Sequence, residues 1–291
     1  ELIRKEENIL LAYRNIKKNK GSHTKGVDGK TITYLSGLHP EELVTMVRNK
    51  LDNYFPQRVR RVEIPKLDGR TRPLGIPTIK DRLVQQCILQ VLEPVCEAKF
   101  FKHSYGFRPL RSAKHAIARA YFLAQVAHLH YVVDIDIKGF FDNIDHGKLL
   151  KQLWTLGIED KSLLRVISKM LKAEIDGIGV PAKGTPQGGI LSPLLANVVL
   201  NELDWWIASQ WERHPTRDTY QPGKKDGSMS SMYYALKKTR LKEVYIVRYA
   251  DDFKIFCRHH NHAKRIFAAV QKWLLERLSL EISPEKSKIT N

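Results

Sequence analysis

"VRYADDFKIF", residues Val247–Phe256, sets two adjacent carboxylates, Asp251 and Asp252, between two runs of strand-forming side chains. Val247, Tyr249, Phe253, Ile255 and Phe256 suit a pleated, half-buried surface, whereas Asp is poor in strands and good in turns, where it bonds its own backbone. The stretch therefore reads as a β-hairpin over residues 244–257 with the Asp pair at its turn. Two readings of the pair stay open at this point. It is a plain hairpin turn, or it is a site for hard divalent cations, which take clustered oxygen ligands.

A second acidic strand bears on the choice. "HYVVDIDIKGFFDNIDH" (His130–His146) opens as an apolar strand and breaks at Gly139. Asp134 and Asp136 lie two apart, so on a strand both project from the same face. In a four-stranded sheet with this strand beside the hairpin, Asp136 would come near Asp251 and Asp252. Three such carboxylates would suit two Mg²⁺ ions about 3.5–4 Å apart. The alternative is a solvated face carrying Asp134 and Asp136.

The bulk properties narrow the partner. The 291 residues carry 49 Lys plus Arg against 31 Asp plus Glu, a formal net charge of +18. An excess of that size points to a polyanion, with nucleic acid ahead of an anionic membrane because the bases run along the whole chain. No apolar run reaches the roughly 18 residues of a membrane span. The three cysteines, Cys87, Cys96 and Cys257, are scattered and form no C-x-x-C pair. That spacing supports neither a disulfide framework nor a thiolate zinc site, and it suits a reducing, cytoplasmic setting. His259, His260 and His262 read as a solvated turn.

Apolar periodicity predicts helices over 2–18, 40–54, 81–100 (with a kink at Pro94), 147–156, 160–172, 190–211 and 262–279. Residues 62–74 read as a basic hairpin turning at Asp68-Gly69, and 173–189 as a second hairpin at Asp176-Gly177 followed by a Gly/Pro loop. Residues 215–243 read as a mobile insertion, and 280–289 as a closing strand pair. Helices gathered on a small antiparallel sheet make an α+β pattern.

Seven ordered segments carry a resemblance. "FFDNID", "GTPQGGILSPLLANVVLNELD", "YADD" and "LSLEISPEKSKI" resemble the palm motifs of reverse transcriptases, in particular those encoded by group II introns, the maturase reverse transcriptases. Upstream, "NKGSHTKGVDGKT", "IPKLDGRTRPLGIPTIKDRLVQ" and "SYGFRPLRSAKHAI" are similar to the fingers motifs of the same family. The resemblance implies a right-hand polymerase with fingers at 1–110 and 146–186 and a ferredoxin-like palm at 111–145 and 187–291. The family continues into a helical thumb beyond the point matching Asn291, so the expectation is fingers plus palm with the thumb absent.

Asp136, Asp251 and Asp252 match the catalytic metal ligands for two Mg²⁺, for which Mn²⁺ can substitute. Asp142 and Asp145 take structural roles, including a helix cap. Phe141 matches the aromatic under the sugar that rejects a 2′-hydroxyl. Lys66 and Arg72 match the fingertip residues that clamp the triphosphate, Gln187 the residue near the sugar, and Lys286 the lysine beside leaving pyrophosphate. Arg108, Arg111, Lys224, Lys225, Lys237 and Lys238 are candidates for template or intron RNA contact. The implied activity is RNA-directed DNA polymerisation from deoxynucleoside triphosphates on an RNA template and DNA primer. Binding to group II intron RNA, assisting splicing and retrohoming, would accompany it. The rival reading is an RNA-binding splicing cofactor whose polymerase site is inactive. Trp205, Trp206 and Trp211 leave open a core cluster or a homodimer interface.

Overall fold

A computed structural model of the chain describes residues 1–65, 69, 71–216 and 230–291. In chain order the first elements are α1 (Glu6–Lys18), α2 (Ile32–Ser36), α3 (Pro40–Asp52), β1 (Arg60–Pro65), β2 (Thr71–Ile76) and α4 (Ile79–Glu97). There follow α5 (Ala113–Tyr121), β3 (Tyr131–Ile135), α6 (Phe140–Asn143), α7 (His146–Thr155), α8 (Lys161–Leu171) and α9 (Ser192–Gln210). The chain closes with α10 (Ser230–Lys237), β4 (Val244–Tyr249), β5 (Asp252–Cys257), α11 (His260–Trp273) and β6 (Lys288–Thr290). It divides into two compact units, one of Glu1–Lys99 with Gly139–Val198, the other of Phe100–Lys138 with Val199–Asn291.

In the first unit α1 packs on α4. Ile9, Ala12 and Ile16 supply its buried stripe, at the spacing one helix face requires. Helix starts follow their caps: Pro40 opens α3 with Glu42 reaching back to the His39 N–H at 2.9 Å, and Asp145 accepts from the Lys148 N–H at 2.7 Å to start α7. β1 and β2 form an antiparallel pair from Arg60↔Ile76 to Pro65↔Thr71. Near Asp176-Gly177 the expected second hairpin is only a tight turn. Ile175 exchanges both its backbone bonds with Gly179, while the flanking Glu174 carbonyl and Asp176 N–H bond Val59, so the chain turns after a single bridge and no ladder develops.

The second unit is built on one antiparallel sheet of order β4-β5-β3-β6. β4 is buried at five successive positions, as a strand covered on both faces must be; α5 packs on it, and α11 packs on β3 and β5. Ala263, Ile266 and Val270 form the buried stripe of α11. One expectation needs correction here. Residues 280–289 do not pair with one another: Lys288–Thr290 pairs with β3, and Ile282 bridges Ile137, because both pieces complete the free edge of the same strand. The expected mobile insertion contains α10, whose Met232 and Leu236, four residues apart, are buried on one face. Residues 217–229 of that stretch lie outside the described residues. Among the described residues no helix is long and apolar enough to cross a membrane.

Candidate active site

The sheet register brings the acidic strands together. β3 and β5 pair through Asp134↔Lys254 and Ile135↔Phe253, which leaves Asp136 and Asp252 as the next residues of the two strands. Residues two apart share a face, and Asp134, Asp136, Lys254 and Asp252 therefore lie on one side of the sheet. Lys254 Nζ stands 2.9 Å from Asp134 and 3.4 Å from Asp252. Lys286 Nζ stands 3.3 Å from Asp136. The Asp136 backbone is bracketed by the closing segment: its N–H donates to Ser287 Oγ at 3.1 Å and its carbonyl accepts from the Ser283 N–H at 2.8 Å.

The turn between β4 and β5 is Ala250-Asp251, with Ala250 in the left-handed region at φ 58°. That conformation costs a non-glycine residue about 1 kcal/mol and persists where neighbours hold it. Two neighbours do so here. Arg248, fully buried, donates through Nε and Nη2 to Asp204 of α9 at 2.7–3.1 Å and through Nη1 to the Ala250 carbonyl at 2.7 Å. On the outer edge of β4, the segment 103–106 runs alongside: the Arg248 N–H donates to His103 O and the Tyr105 N–H to Arg248 O. A Cβ on Gly106 would stand 2.1 Å from the Ala250 nitrogen, so only glycine allows this approach.

The donor chemistry of Asp136, Asp251 and Asp252, all carboxylate oxygen, fits a hard divalent cation. The ammonium groups of Lys254 and Lys286 already supply cationic charge to Asp252 and Asp136. Among the described residues no three His, Cys, Asp or Glu side chains are gathered into a metal-binding group.

Of the expected nucleotide-contacting residues of the first unit, Gln187 lines a cavity of about 290 Å³ together with Arg61, Leu74, Asp142 and Lys183. The loop 184–188 is stitched to α6 on one side, through Gly184 N–H to Ile144 O and Thr185 N–H to Phe141 O, both 2.7 Å. On the other side Gln187 O accepts from the Gly75 N–H at 2.8 Å. The Gln187 amide reaches the Asp142 carboxylate at 3.3 Å. Phe141 is buried and meets Phe140 edge-to-face at 5.4 Å. Arg72 stands in β2 opposite Ile64; Lys66 lies outside the described residues, as do Lys224 and Lys225.

The basic residues of the second unit differ in kind. Arg108 is buried, donating to the carbonyls of Phe101 at 2.7 Å and Ser104 at 2.8 Å, and so braces the segment that flanks β4. Arg111 also bonds the Lys102 carbonyl. Lys237 and Lys238 are exposed at the end of α10, with Lys238 Nζ 4.3 Å from the centre of the Tyr234 ring. Of the three tryptophans, Trp211 is core, bonding the Tyr245 hydroxyl at 3.1 Å, while Trp206 stacks on Trp273 at 5.3 Å.

The sequence reading missed Arg248 and Asp204. A signal was present: one basic residue inside the apolar strand "VYIVRY" and two acidic residues, Glu202 and Asp204, inside the apolar helix "VVLNELDWWIA". Charges in buried runs need partners.

The family model described as "Reverse transcriptase (RNA-dependent DNA polymerase)" matches residues 64–291. The chain is 33% identical to "Protein YkfC" of Escherichia coli (strain K12), covering 99% of this chain and 78% of that protein. It is 34% identical to "Group II intron-encoded protein LtrA" of Lactococcus lactis subsp. cremoris, covering 97% of this chain and 52% of that protein, so it spans about half of LtrA's length. Among solved structures, the telomerase of Candida albicans in complex with a fragment of telomeric RNA superposes with a TM-score of 0.52 at 12% identity, over 90% of this chain and 46% of that one. At that identity the likeness concerns the fold alone.

Proposed function

The chain belongs to the reverse transcriptase (RNA-dependent DNA polymerase) family, and from that premise we propose that it extends a primer on an RNA template by two-metal nucleotidyl transfer, as part of a group II intron-encoded, maturase-type protein. The observation that carries the proposal is the β3–β5 register, which ends at Ile135↔Phe253 and leaves Asp136 and Asp252 as the next residues of the two strands, beside the Ala250-Asp251 turn. Asp136, Asp251 and Asp252 would hold two Mg²⁺ ions, which when bound make the primer 3′-hydroxyl a better nucleophile and take up charge on the leaving pyrophosphate.

The remaining steps belong to the chain's own groups. The primer oxygen attacks the α-phosphorus of a deoxynucleoside triphosphate, the new P–O bond forms as the bond to pyrophosphate breaks, and the protein's part is positioning and charge stabilisation. Lys286, 3.3 Å from Asp136, is suited to donate a hydrogen bond or proton to the departing pyrophosphate. Lys66 and Arg72 clamp the triphosphate, Arg by its planar fork and Lys as a point charge. The family motifs assign the sugar to Gln187 and Phe141, with Phe141 excluding a 2′-hydroxyl. The strand order β4-β5-β3-β6 supports a ferredoxin-like palm in the unit that holds the carboxylates, and the unit of β1 and β2 corresponds to fingers. The +18 charge supports RNA, including intron RNA, as the macromolecular partner.

The test is primer extension on an RNA template with Mg²⁺, comparing deoxy- and ribonucleotides, with the Asp251→Asn, Asp252→Asn double variant alongside. Deoxynucleotide addition that disappears in the variant is the expected result. A folded wild-type chain that binds RNA with strong salt dependence but adds nothing would favour the splicing-cofactor reading.

A further inference from the structure

The geometry points to Arg248, held by Asp204, as a positioning residue for the Asp251-Asp252 turn; the inference rests on the polymerase reading above. Arg248 lies one residue before the end of β4, three before Asp251, and its side chain runs forward to the turn it precedes. The guanidinium fork has two tasks at once. One side makes the paired contact with the Asp204 carboxylate, and the other holds the carbonyl of Ala250, the residue in the left-handed conformation. Fixing that carbonyl fixes the peptide plane between Ala250 and Asp251. The direction in which Asp251 and Asp252 leave the turn is then set by a buried ion pair with its own rigid anchor.

The anchoring is asymmetric in a useful way. Asp204 sits on α9, a 19-residue helix, where it is wholly shielded from solvent. An ion pair so placed is a poor source of net stability, because desolvating both charges offsets their attraction. An apolar pair of equal volume would serve a core as well. What the apolar pair would lack is a directed hydrogen bond to one turn carbonyl. From the outer edge the close contact of Gly106 with Ala250 limits the opposite displacement, so the turn is held from two sides. Lysine at 248 keeps the charge and loses the fork: a single ammonium reaches Asp204 or the Ala250 carbonyl but does not reproduce the planar grip on both.

The experiment compares wild type with Arg248→Lys, Asp204→Asn and, as a control for core damage, Trp211→Phe, which loses the bond to Tyr245 without touching the turn. Each is assayed below its unfolding temperature for kcat and KM in primer extension and, separately, for Mn²⁺ affinity by electron paramagnetic resonance without nucleotide. Arg248→Lys and Asp204→Asn are expected to lower kcat about a hundred-fold at near-constant KM, the scale for a displacement near 1 Å at a reacting centre. They are also expected to weaken Mn²⁺ binding about tenfold, as loss of a ligand-orienting partner does. Trp211→Phe should move unfolding temperature alone. Should Arg248→Lys fail to fold, Asp204→Asn, isosteric and with Arg248 in place, carries the same expectation. A wild type that binds Mn²⁺ and extends primers, with either folded variant matching it within about twofold, overturns the positioning role alone. A folded wild type that does neither overturns the polymerase reading and this inference with it.

Discussion

The second unit holds two sets of ion pairs within a few residues of each other, and they contrast in burial. Arg248–Asp204 is shielded completely, with side chains 1% and 0% exposed. Lys254–Asp252 and Lys286–Asp136 stand in solvent, Asp252 being 70% exposed. Exposed pairs contribute about 0–1 kcal/mol and exchange partners easily, whereas breaking a buried pair strands a charge in low dielectric. The same chemistry thus supports opposite duties. The buried pair fixes where the turn points, and the exposed pairs can release their carboxylates to another cation.

The hardest test of that contrast is Asp204→Ala. Leaving Arg248 buried without its partner should cost about 3–5 kcal/mol of stability by urea unfolding. A loss under about 1 kcal/mol would erase the distinction between the two sets.

Glu212 lies between the extremes and sharpens the comparison. Its carboxylate is buried, yet Lys102 reaches it at 2.7 Å from a half-exposed position, and His103 lies at 3.6 Å. Burial pushes the carboxyl pKa up, but the neighbouring His103 ring and Lys102 ammonium pull it further down, to about 2. A depressed carboxylate contributes stability that is present above the unfolded value near 4.3 and lost as pH falls toward the folded one. Glu212→Gln should therefore be less stable than wild type by up to about 3 kcal/mol at pH 7, with the gap closing between about pH 4 and pH 2. Urea midpoints measured down this range check it; a gap independent of pH would assign Glu212 to packing alone.

Lys254→Met probes the exposed set and should have the smallest effect on stability, within about 1 kcal/mol. Burial draws the Lys254 ammonium pKa down, but the Asp134 hydrogen bond and the charges of Asp252 and Asp134 outweigh it, leaving it raised and the group cationic at neutral pH. Removing that charge should tighten Mn²⁺ binding roughly threefold. Weaker binding in the variant would mean that Lys254 aligns the carboxylates instead of competing for them.

These contrasts also mark what was legible in the sequence. The hairpin at 244–257, the strand at 130–138 and the long helix near 190–211 could be read because each combines a run of apolar residues with local stop signals at Asp, Gly or Pro. The adjacency of β3 and β5 was a conjecture from chemistry, and the register of the two strands bears it out. The short α5, α2 and α6 were not separated from loops, since four to nine residues offer little periodicity. The closing strand went astray because a three-residue β6 has no signature of its own and takes its partner from the free edge of β3. Arg248 and Asp204, 44 positions apart, meet only through tertiary packing. For Arg108 the motif marks a candidate for template contact, and only the fold reveals that it also donates to two main-chain carbonyls.

The loop that flanks β4 has a consequence beyond the turn. The sheet's outer strands are β4 and β6, and an open outer strand is a template on which a neighbouring molecule can add its own, the route to strand-swapped assemblies and fibrils. Here the chain's own backbone occupies β4 around Arg248 through the parallel bridge at Ser104, while β6 offers only three residues, one of them Lys288. The strap that steadies the acidic turn therefore also closes the sheet to growth, at the place where an abundance of buried apolar strand would otherwise invite it.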